Sequence, residues 1–296
     1  MSKERLFSPV FILIVACTLC CFLFGQGANA GTSVYLEFTG ESTSLAGLGA
    51  LIFSIFAALA RVIAGPLSDA RGRKIAIVIG AIVMVLGGIG PLFSNTGAFF
   101  IIWRIFQGLG FATATTALAT AAADVLPLSR LGEGIGYYGL GQAISMSCGP
   151  AIAIALIYSD SPDYFYVGLT VFAIIALVIS TLIRYEKDPE KLPETSEFLT
   201  RWKKGEIPYS KPSEHQSESI GEANDDADSG KSIKLSFRSL VDGIFEPPAL
   251  RGTIPMMFLS TAFGFGIFFM GVYGAYLNVG SPGLFYTISA DRKSVV

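Results

Sequence analysis

Seven long apolar runs divide this chain of 296 residues, and they restrict what it can fold into. A helix that crosses a lipid bilayer needs roughly 20 mostly apolar residues, because in hydrocarbon every backbone amide must be satisfied internally. The runs predict membrane-spanning helices over residues 9–28, 45–66, 74–93, 98–125, 134–158, 164–183 and 253–277. An eighth apolar run begins at Leu284. With 52% hydrophobic and 15% charged residues, the composition agrees with an all-α membrane protein rather than a soluble domain.

The positions of Lys and Arg predict the orientation of these helices. The connections over residues 32–44, 94–97, 159–163 and 278–283 contain no Lys or Arg, whereas the N-terminus and the other connections are basic. Because basic residues stay on the inner side, we expect a multi-pass protein of the cell (inner) membrane with a cytoplasmic N-terminus. The first run, followed by Ala28-Asn29-Ala30, also has the pattern of a cleavable signal peptide. The repeat organisation described below needs the first helix and favours its retention.

Composition divides the chain into four predicted parts. Residues 1–185 form an N-terminal bundle of six spans, and residues 186–252 form a polar, largely disordered cytoplasmic linker. Within the linker, residues 237–245 are either an interfacial helix or solvated chain. Residues 253–290 contain the seventh span and the start of the eighth. The tail, residues 291–296, resembles a translated sequencing adapter and is predicted to be non-native.

The connection between the second and third spans carries the most specific motif, Gly65-Pro-Leu-Ser-Asp-Ala-Arg-Gly72-Arg73-Lys74. It resembles the signature G-x-L-x-D-r-x-G-R-[RK] of the major facilitator superfamily, with Ala70 in place of the usual basic residue. Gly65 and Gly72 permit a tight turn and close helix approach.

Two charged residues of this motif suggest specific contacts. Asp69 can accept hydrogen bonds from a facing helix N-terminus, and Arg73 can pair with an acid across the bundle, for which Asp124 is a candidate. The resemblance implies a gate that locks two halves of a transporter at the cytoplasmic face. The implied gating residues are Gly65, Leu67, Asp69, Gly72, Arg73, Lys74 and Asp124. The alternative is a basic anchor that only fixes the topology.

The resemblance also implies an architecture. Transporters of this superfamily have two six-helix halves, each made of two inverted three-helix repeats (3+3). The spans match the N-terminal six-helix bundle plus the first helix of the C-terminal bundle, so we expect a chain truncated after the seventh transmembrane helix. The missing C-terminal half would be its partner, and we expect the fragment alone to be inactive.

The fourth span contains a second motif, Arg104-Ile-Phe-Gln107-Gly108-Leu-Gly110, which is similar to the R-x-x-Q-G-x-G element of the family. Arg104 lies roughly two helical turns into the membrane, where a charge is costly and usually meets a cavity or a partner. It is a candidate to bind an anionic substrate group or to adjust a proton carrier, with snorkelling to the outer interface as the alternative. Arg61 in the second span is likewise a candidate for substrate contact, with pairing or snorkelling as the alternative. Gln26, Gln107 and Tyr273 are the candidate substrate contacts.

The fifth span resembles the helix-packing motif of proton-coupled antiporters. The residues that carry the resemblance are Gly136, Gly141, Ser145, Gly149 and Pro150. The match is partial, because Ser145, Ala153 and Ile154 stand where glycine is common. Small residues at 145 and 153 still permit close packing, and Gly149-Pro150 is expected to kink the helix.

These features predict a secondary active transporter that moves a small molecule by alternating access. The first interpretation is proton-coupled efflux of a drug, sugar or metabolite. An uptake symporter or uniporter of the same superfamily, or a polytopic membrane protein without transport, are the alternatives. The first three predicted spans contain no carboxylate that could carry a proton, and Asp124 and Glu133 stand at span ends.

Other classes of function find no support in the sequence. The spans contain no acid and base pair, nucleophile or metal cluster, so we predict no enzyme activity, cofactor or metal. Cys17, Cys20, Cys21 and Cys148 lie in apolar runs and are expected to pack. Residues 134–139 fit G-x-G-x-x-G but open a membrane helix instead of following a strand. The net charge of -2 does not predict a nucleic-acid partner.

Overall fold

The first helix begins at a capped serine. The Ser8 hydroxyl oxygen accepts a hydrogen bond from the Phe11 amide at 3.1 Å, and Pro9 occupies the first helical position. The computed structural model describes residues 6–93, 97–205 and 207. Its long helices are α1 (Pro9–Phe38), α2 (Thr43–Arg71), α3 (Arg73–Ile89), α4 (Gly97–Val125), α5 (Leu131–Ile157) and α6 (Tyr164–Leu182). These helices confirm the predicted all-α class, while the predicted seventh and eighth spans and the tail lie outside the described residues.

The first two helices are longer than the sequence predicted. α1 continues through Ala28 to Phe38, and α2 continues through Pro66 to Arg71. Hydropathy detects only the part of a helix that suits hydrocarbon, and a proline removes one backbone hydrogen bond without always ending a helix. The Gly65–Asp69 part of the motif is therefore helical, and only Gly72 forms the turn.

Five of these helices are long and apolar enough to cross a membrane by length and composition, namely α1, α2, α3 with the turn that follows it, α5 and α6. α4 has 29 residues but is not among them. It contains Arg104, Gln107 and a second half rich in Ala and Thr. Arg104, Gln107 and Ala112 are fully buried, so the polar groups of α4 meet protein instead of lipid.

The helix packing has the symmetry of an internal repeat. α1 packs most extensively on α5 and α6, and α4 packs in the same way on α2 and α3. When α1, α2 and α3 are matched in order with α4, α5 and α6, the pair α1–α5 corresponds to α4–α2. The pair α1–α6 corresponds in the same way to α4–α3. Because each repeat has an odd number of helices, the second repeat starts at the opposite end of the bundle. This arrangement is the predicted inverted 3+3 bundle.

Side-chain contacts define the two ends of the bundle. The start of α3 meets the end of α4 through Arg73 and Asp124, and we call this the basic end. At the opposite end, Tyr35 of α1 donates a hydrogen bond to Asp163, which precedes α6, at 3.1 Å.

The chain after α6 folds back onto the basic end. A short helix, α7 (Glu197–Lys203), buries Phe198 and Trp202, and Ser196 forms an isolated antiparallel bridge with Pro127 beyond α4. The sequence predicted a largely disordered linker from residue 186, but residues 186–205 are folded because their apolar side chains pack below α4. The rest of the predicted linker, including residues 237–245, lies outside the described residues.

Candidate functional site

Charged and polar side chains of the described residues gather in two clusters. The Arg73 cluster, at the basic end, comprises Ser68, Asp69, Arg73, Asp124, Tyr185 and Glu186. The Arg104 cluster, inside the bundle, comprises Asn29, Thr32, Gly49, Phe53, Arg104 and Gln107. Four helices and the chain after α6 contribute to these clusters, so both depend on the packed bundle.

Gly72 makes the sharp turn that positions Arg73. Its φ of 102° lies in a region that side chains with a Cβ rarely adopt. It ends α2 and precedes α3 directly, so Asp69 and Arg73 face each other across the turn. A Cβ at this position would also lie 3.0 Å from Glu186 Oε2.

Arg73 joins the two repeats through an ion pair. Its Nε lies 3.0 Å from Asp124 Oδ2, and only 5% and 6% of these two side chains are exposed. One Nη1 atom donates to the Ser68 carbonyl at 2.9 Å and lies 2.6 Å from Asp69 Oδ1. The structure thus brings together the two residues that the sequence suggested as a pair.

The two acids bound to Arg73 differ in exposure. Asp124 is buried, whereas 67% of the Asp69 side chain is exposed. An exposed pair contributes about 0–1 kcal/mol, but removing one partner of a buried pair costs about 3–5 kcal/mol. Asp124 therefore anchors Arg73, and Asp69 is the acid that remains accessible. The facing helix N-terminus predicted for Asp69 is not among the described residues.

Tyr185 and Glu186, which follow α6, complete the cluster. The Tyr185 hydroxyl donates to Asp124 Oδ2 at 3.3 Å. Glu186 Oε1 accepts hydrogen bonds from the amides of Arg73 at 2.5 Å and Lys74 at 3.3 Å, and so caps α3, whose N-cap glycine has no side chain. Burial raises the pKa of the Glu186 carboxyl, and these hydrogen bonds oppose the shift. The sequence analysis missed both residues, although an acid directly after the sixth span was a usable signal.

The other residues of the first motif have different surroundings. Lys74 donates from Nζ to the Thr181 carbonyl of α6 at 2.8 Å, and Leu67 is half-buried in α2. Gly65 was predicted to permit close helix approach, but among the described residues no atom lies within 4 Å of a Cβ placed there. The described residues show no contact at Gly65, so its role in close helix approach stays a prediction.

Arg104 is enclosed on all sides by neutral acceptors. Its Nε donates to the Gly49 carbonyl at 3.2 Å, Nη1 donates to Gln107 Oε1 at 2.7 Å, and Nη2 donates to Asn29 Oδ1 at 3.1 Å. Nη1 also approaches Thr32 Oγ1 at 3.3 Å and the Ala28 carbonyl at 3.4 Å. The guanidinium lies 4.7 Å from the centroid of the Phe53 ring, a cation–π arrangement.

Burial of Arg104 rules out the snorkelling alternative in this conformation, because the side chain is 0% exposed. No carboxylate contacts it within the described residues. Asn29, which is half-buried, is the least enclosed of its side-chain partners. Sequence reasoning missed Asn29 because Ala28-Asn29-Ala30 resembled a cleavage site, although Asn29 and Thr32 share a helix face at a spacing of three residues.

Gln107, Gly108 and Gly110 hold α4 against its neighbours. Gln107 is fully buried and donates from Nε2 to the Gly87 carbonyl of α3 at 2.9 Å. A Cβ at Gly108 would overlap the Phe53 carbonyl oxygen of α2, and one at Gly110 would lie 2.6 Å from the Met84 amide nitrogen of α3. The second motif therefore sets the helix spacing around Arg104.

The remaining substrate candidates are scattered. Arg61 is exposed on α2 and has no polar partner among the described residues. Gln26 is half-buried on α1, and its Cβ lies 3.2 Å from a Cβ placed at Gly149 of α5. Tyr273 lies outside the described residues. Of the three predicted substrate contacts, the structure therefore describes only Gln26 on α1 and Gln107 on α4.

The fifth-span motif packs α5 against α1 through part of its residues. Ser145 is fully buried and donates to the Leu19 carbonyl of α1 at 3.1 Å, and a Cβ at Gly149 would lie 3.2 Å from the Gly27 amide nitrogen. Gly141 has only an ordinary contact with Val15, and Gly136 has open space beside it within the described bundle. The packing role of Gly136 therefore stays a prediction. α5 continues through Pro150 to Ile157.

A family model supports the interpretation of the sequence. The model described as Major Facilitator Superfamily matches residues 8–290 of the chain. An uncharacterised MFS-type transporter of Methanocaldococcus jannaschii is 28% identical over 166 residues, which is 54% of this chain and 42% of that protein. The glucose transport protein of a Synechocystis strain is 30% identical over 50% of this chain and 31% of its own length. The multidrug resistance protein 1 of Bacillus subtilis is 29% identical over 49% of this chain and 37% of its own length. The chain thus spans less than half the length of these relatives.

Solved transporter structures share the fold. The partially occluded inward open conformation of the xylose transporter XylE from E. coli has a TM-score of 0.57 and 16% identity, over 96% of this chain and 70% of that one. A peptide transporter POT mutant in complex with alafosfalin has a TM-score of 0.54 and 16% identity, over 72% of this chain and 43% of that one.

Proposed function

Since the chain belongs to the major facilitator superfamily, we propose that it is part of a secondary transporter of the cell membrane that moves a small molecule by alternating access. Its N-terminus and basic end face the cytoplasm in this proposal, because the basic connections cluster there. The proposed transport direction is efflux and the proposed driving force is a proton gradient. In this proposal, a C-terminal half supplies the second wall of the substrate cavity.

The observation that carries the proposal is the anchored arginine between the repeats. Arg73 is bound to buried Asp124 and at the same time to exposed Asp69. A gate needs a fixed part and a part that can reach the other half. Buried Asp124 suits the fixed part, and exposed Asp69 suits the part that reaches the other half. In our proposal, Asp69 binds the second half while the cytoplasmic side is closed and is released when that side opens.

The Arg104 cluster has a separate proposed role in coupling or substrate binding. Arg104 and Gln107 are enclosed, so they act through the position of α1 instead of touching the substrate in this conformation. Asn29, the less enclosed partner, is the proposed route by which substrate contact on α1 reaches Arg104. Arg61, Gln26 and Tyr273 remain proposed contacts on the side of the missing half.

The proton carrier is proposed to lie outside the described residues. The carboxylates of the six long helices, Glu37, Asp69, Asp124 and Glu133, all stand near helix ends. An acid that carries a proton through a transporter usually faces the cavity inside the membrane. The missing half is the expected source of such a group.

Transport assays on the protein at its natural length test this proposal. The relatives include a glucose transport protein and a multidrug resistance protein, so labelled sugars and cationic dyes form the substrate panel. In inverted vesicles with an imposed pH gradient, we expect accumulation of one substrate class that collapses with a protonophore. Uptake that follows the opposite direction would favour the symporter alternative. Substrate accumulation that does not change with the pH gradient would refute proton coupling.

A further inference from the structure

The paired helices α3 and α6 present an exposed apolar surface. Ile75, Ile79, Ile82 and Leu86 form a stripe on α3, with exposed fractions between 41% and 48%. Val171, Ile174, Ile175, Val178 and Leu182 form a second stripe on α6, with exposed fractions between 41% and 55%. Spacings of three and four residues keep each stripe on one helix face.

The two helices run antiparallel and in contact, so the stripes belong to one pair of helices. Lys74 Nζ near the start of α3 reaches the Thr181 carbonyl near the end of α6 at 2.8 Å. Farther along, a Cβ at Gly88 of α3 would lie 2.8 Å from Thr170 Oγ1 of α6. No charged residue occurs between Ile75 and Ile89 or between Tyr164 and Leu182. This surface suits hydrocarbon chains.

Positive charge gathers where the two helices meet at the basic end. Lys74 Nζ is bound to the Thr181 carbonyl, and Arg184 and Lys187 follow within six residues of Thr181, just after the end of α6. Glu186 is the acid in this group, and its Oε1 is bound by the amides of Arg73 and Lys74. Three cations and one acid leave a net positive charge.

Three other basic residues at this end are already paired with acids. Arg130 pairs with Glu133 at 2.8 Å, Lys191 with Asp188 at 3.0 Å, and Arg73 with its two acids. Lys74, Arg184 and Lys187 form no ion pair within the described part of the chain. The group therefore lacks the negative charge that would balance it.

We propose that the basic end of α3 and α6 binds an anionic phospholipid, whose phosphate contacts Lys74, Arg184 and Lys187 and whose acyl chains lie along the two apolar stripes. A free phosphate would use only the cations, whereas a phospholipid uses the charges and the adjoining apolar surface together. The site shares Lys74 with the implied gate, but lipid binding there needs no gating step and is tested at Arg184 and Lys187, which are not gating residues.

Lipid retention measured by native mass spectrometry tests the site. The protein at its natural length is reconstituted in nanodiscs of equal parts phosphatidylglycerol and phosphatidylcholine and then stripped with mild detergent. We expect phosphatidylglycerol to be retained in preference. Removing a cation near an anionic lipid weakens binding by about fivefold, the equivalent of about 1 kcal/mol. Arg184→Gln combined with Lys187→Gln should therefore reduce the preference by more than tenfold.

Matched variants make the result specific. Lys191→Gln removes a basic residue that is already paired with Asp188, and the preference should not change. Arg184→Lys keeps the charge and should keep most of the preference. Equal retention of both lipids, or equal effects of the double variant and Lys191→Gln, would overturn the proposal. Displacement of bound phosphatidylglycerol by soluble glycerol phosphate would show a site for free anions instead. A dimer that covers this surface and retains no lipid would assign it to a second copy.

Discussion

Tyr185 donates a hydrogen bond to the same Asp124 oxygen that pairs with Arg73, at 3.3 Å and 3.0 Å respectively. The end of α6 therefore belongs to the polar cluster that joins α3 to α4. Tyr185 also stacks edge-on against Phe198 of α7, with ring centroids 5.1 Å apart. Through this residue the segment after α6 is linked to the proposed gate.

Replacing Tyr185 by Phe should weaken the gate without dismantling it. The ring contact with Phe198 persists, but Asp124 loses one buried donor, which costs about 0.5–1.5 kcal/mol. We expect a lower thermal midpoint and partly reduced transport, measured on the purified protein and in vesicles. Tyr164→Phe, at an exposed position at the opposite end, is the control. Equal behaviour of the two variants would remove Tyr185 from the gate.

Asp69→Asn should separate gating from stability. The Asp69 side chain is 67% exposed, so the loss of its charge should change the free energy of unfolding by about 1 kcal/mol or less. If Asp69 binds the second half, however, transport should be lost while the protein remains in the membrane. Asp188→Asn also removes an exposed acid from a helical ion pair, and it should leave transport unchanged. Normal transport by Asp69→Asn would contradict the gate.

Glu186 should make stability depend on pH. Burial raises the pKa of its carboxyl above the ordinary value of 4.5, so the folded protein binds this proton more tightly than the unfolded chain does. The resulting stabilisation is complete below pH 4.5 and is lost as the pH rises through the folded-state pKa. Glu186→Gln cannot titrate and should flatten this part of the stability profile. Thermal midpoints measured from pH 4.5 upward check it, and parallel profiles would show that Glu186 does not contribute.

Some of this site could be predicted from sequence because topology alone brings its parts together. The runs of apolar residues fix which helix ends share a membrane face, so the start of α3 and the end of α4 had to lie on the same side of the membrane. That was enough to suggest Asp124 as a partner for Arg73. Tyr185 and Glu186 were harder to find, since their positions depend on how the chain turns after α6, which hydropathy does not report.

The Arg104 cluster could be located but not described from the sequence. Two of its acceptors are the carbonyls of Gly49 and Ala28, and backbone groups carry no residue-type signal. The number of acceptors is set by how closely α1, α2 and α4 pack. A motif could therefore not indicate that this buried arginine has only neutral partners among the described residues.

Arg104→Lys should lower the stability of the protein although the substitution keeps the positive charge. The guanidinium reaches acceptors on α1, α2 and α4 with three nitrogen atoms, whereas a single ammonium group cannot span them. Buried carbonyls left without a donor cost about 1–3 kcal/mol each. Thermal unfolding should show a large loss of stability. Arg61→Lys, at an exposed position, should shift stability by no more than about 0.5 kcal/mol. Comparable shifts for the two variants would contradict the enclosed geometry.

Two glycines that look alike in the sequence should respond in opposite ways to alanine. A Cβ at Gly108 would overlap the Phe53 carbonyl oxygen, so α4 and α2 must separate, and such overpacking costs about 1–3 kcal/mol. Gly136 has no described atom within 4 Å of a Cβ, and alanine there should stabilise the helix by up to about 1 kcal/mol. Thermal midpoints of Gly108→Ala and Gly136→Ala in the same detergent measure the difference. A stable Gly108→Ala protein would show that α2 and α4 can move apart freely. A strongly destabilised Gly136→Ala protein would indicate that residues outside the described bundle pack against that face of α5.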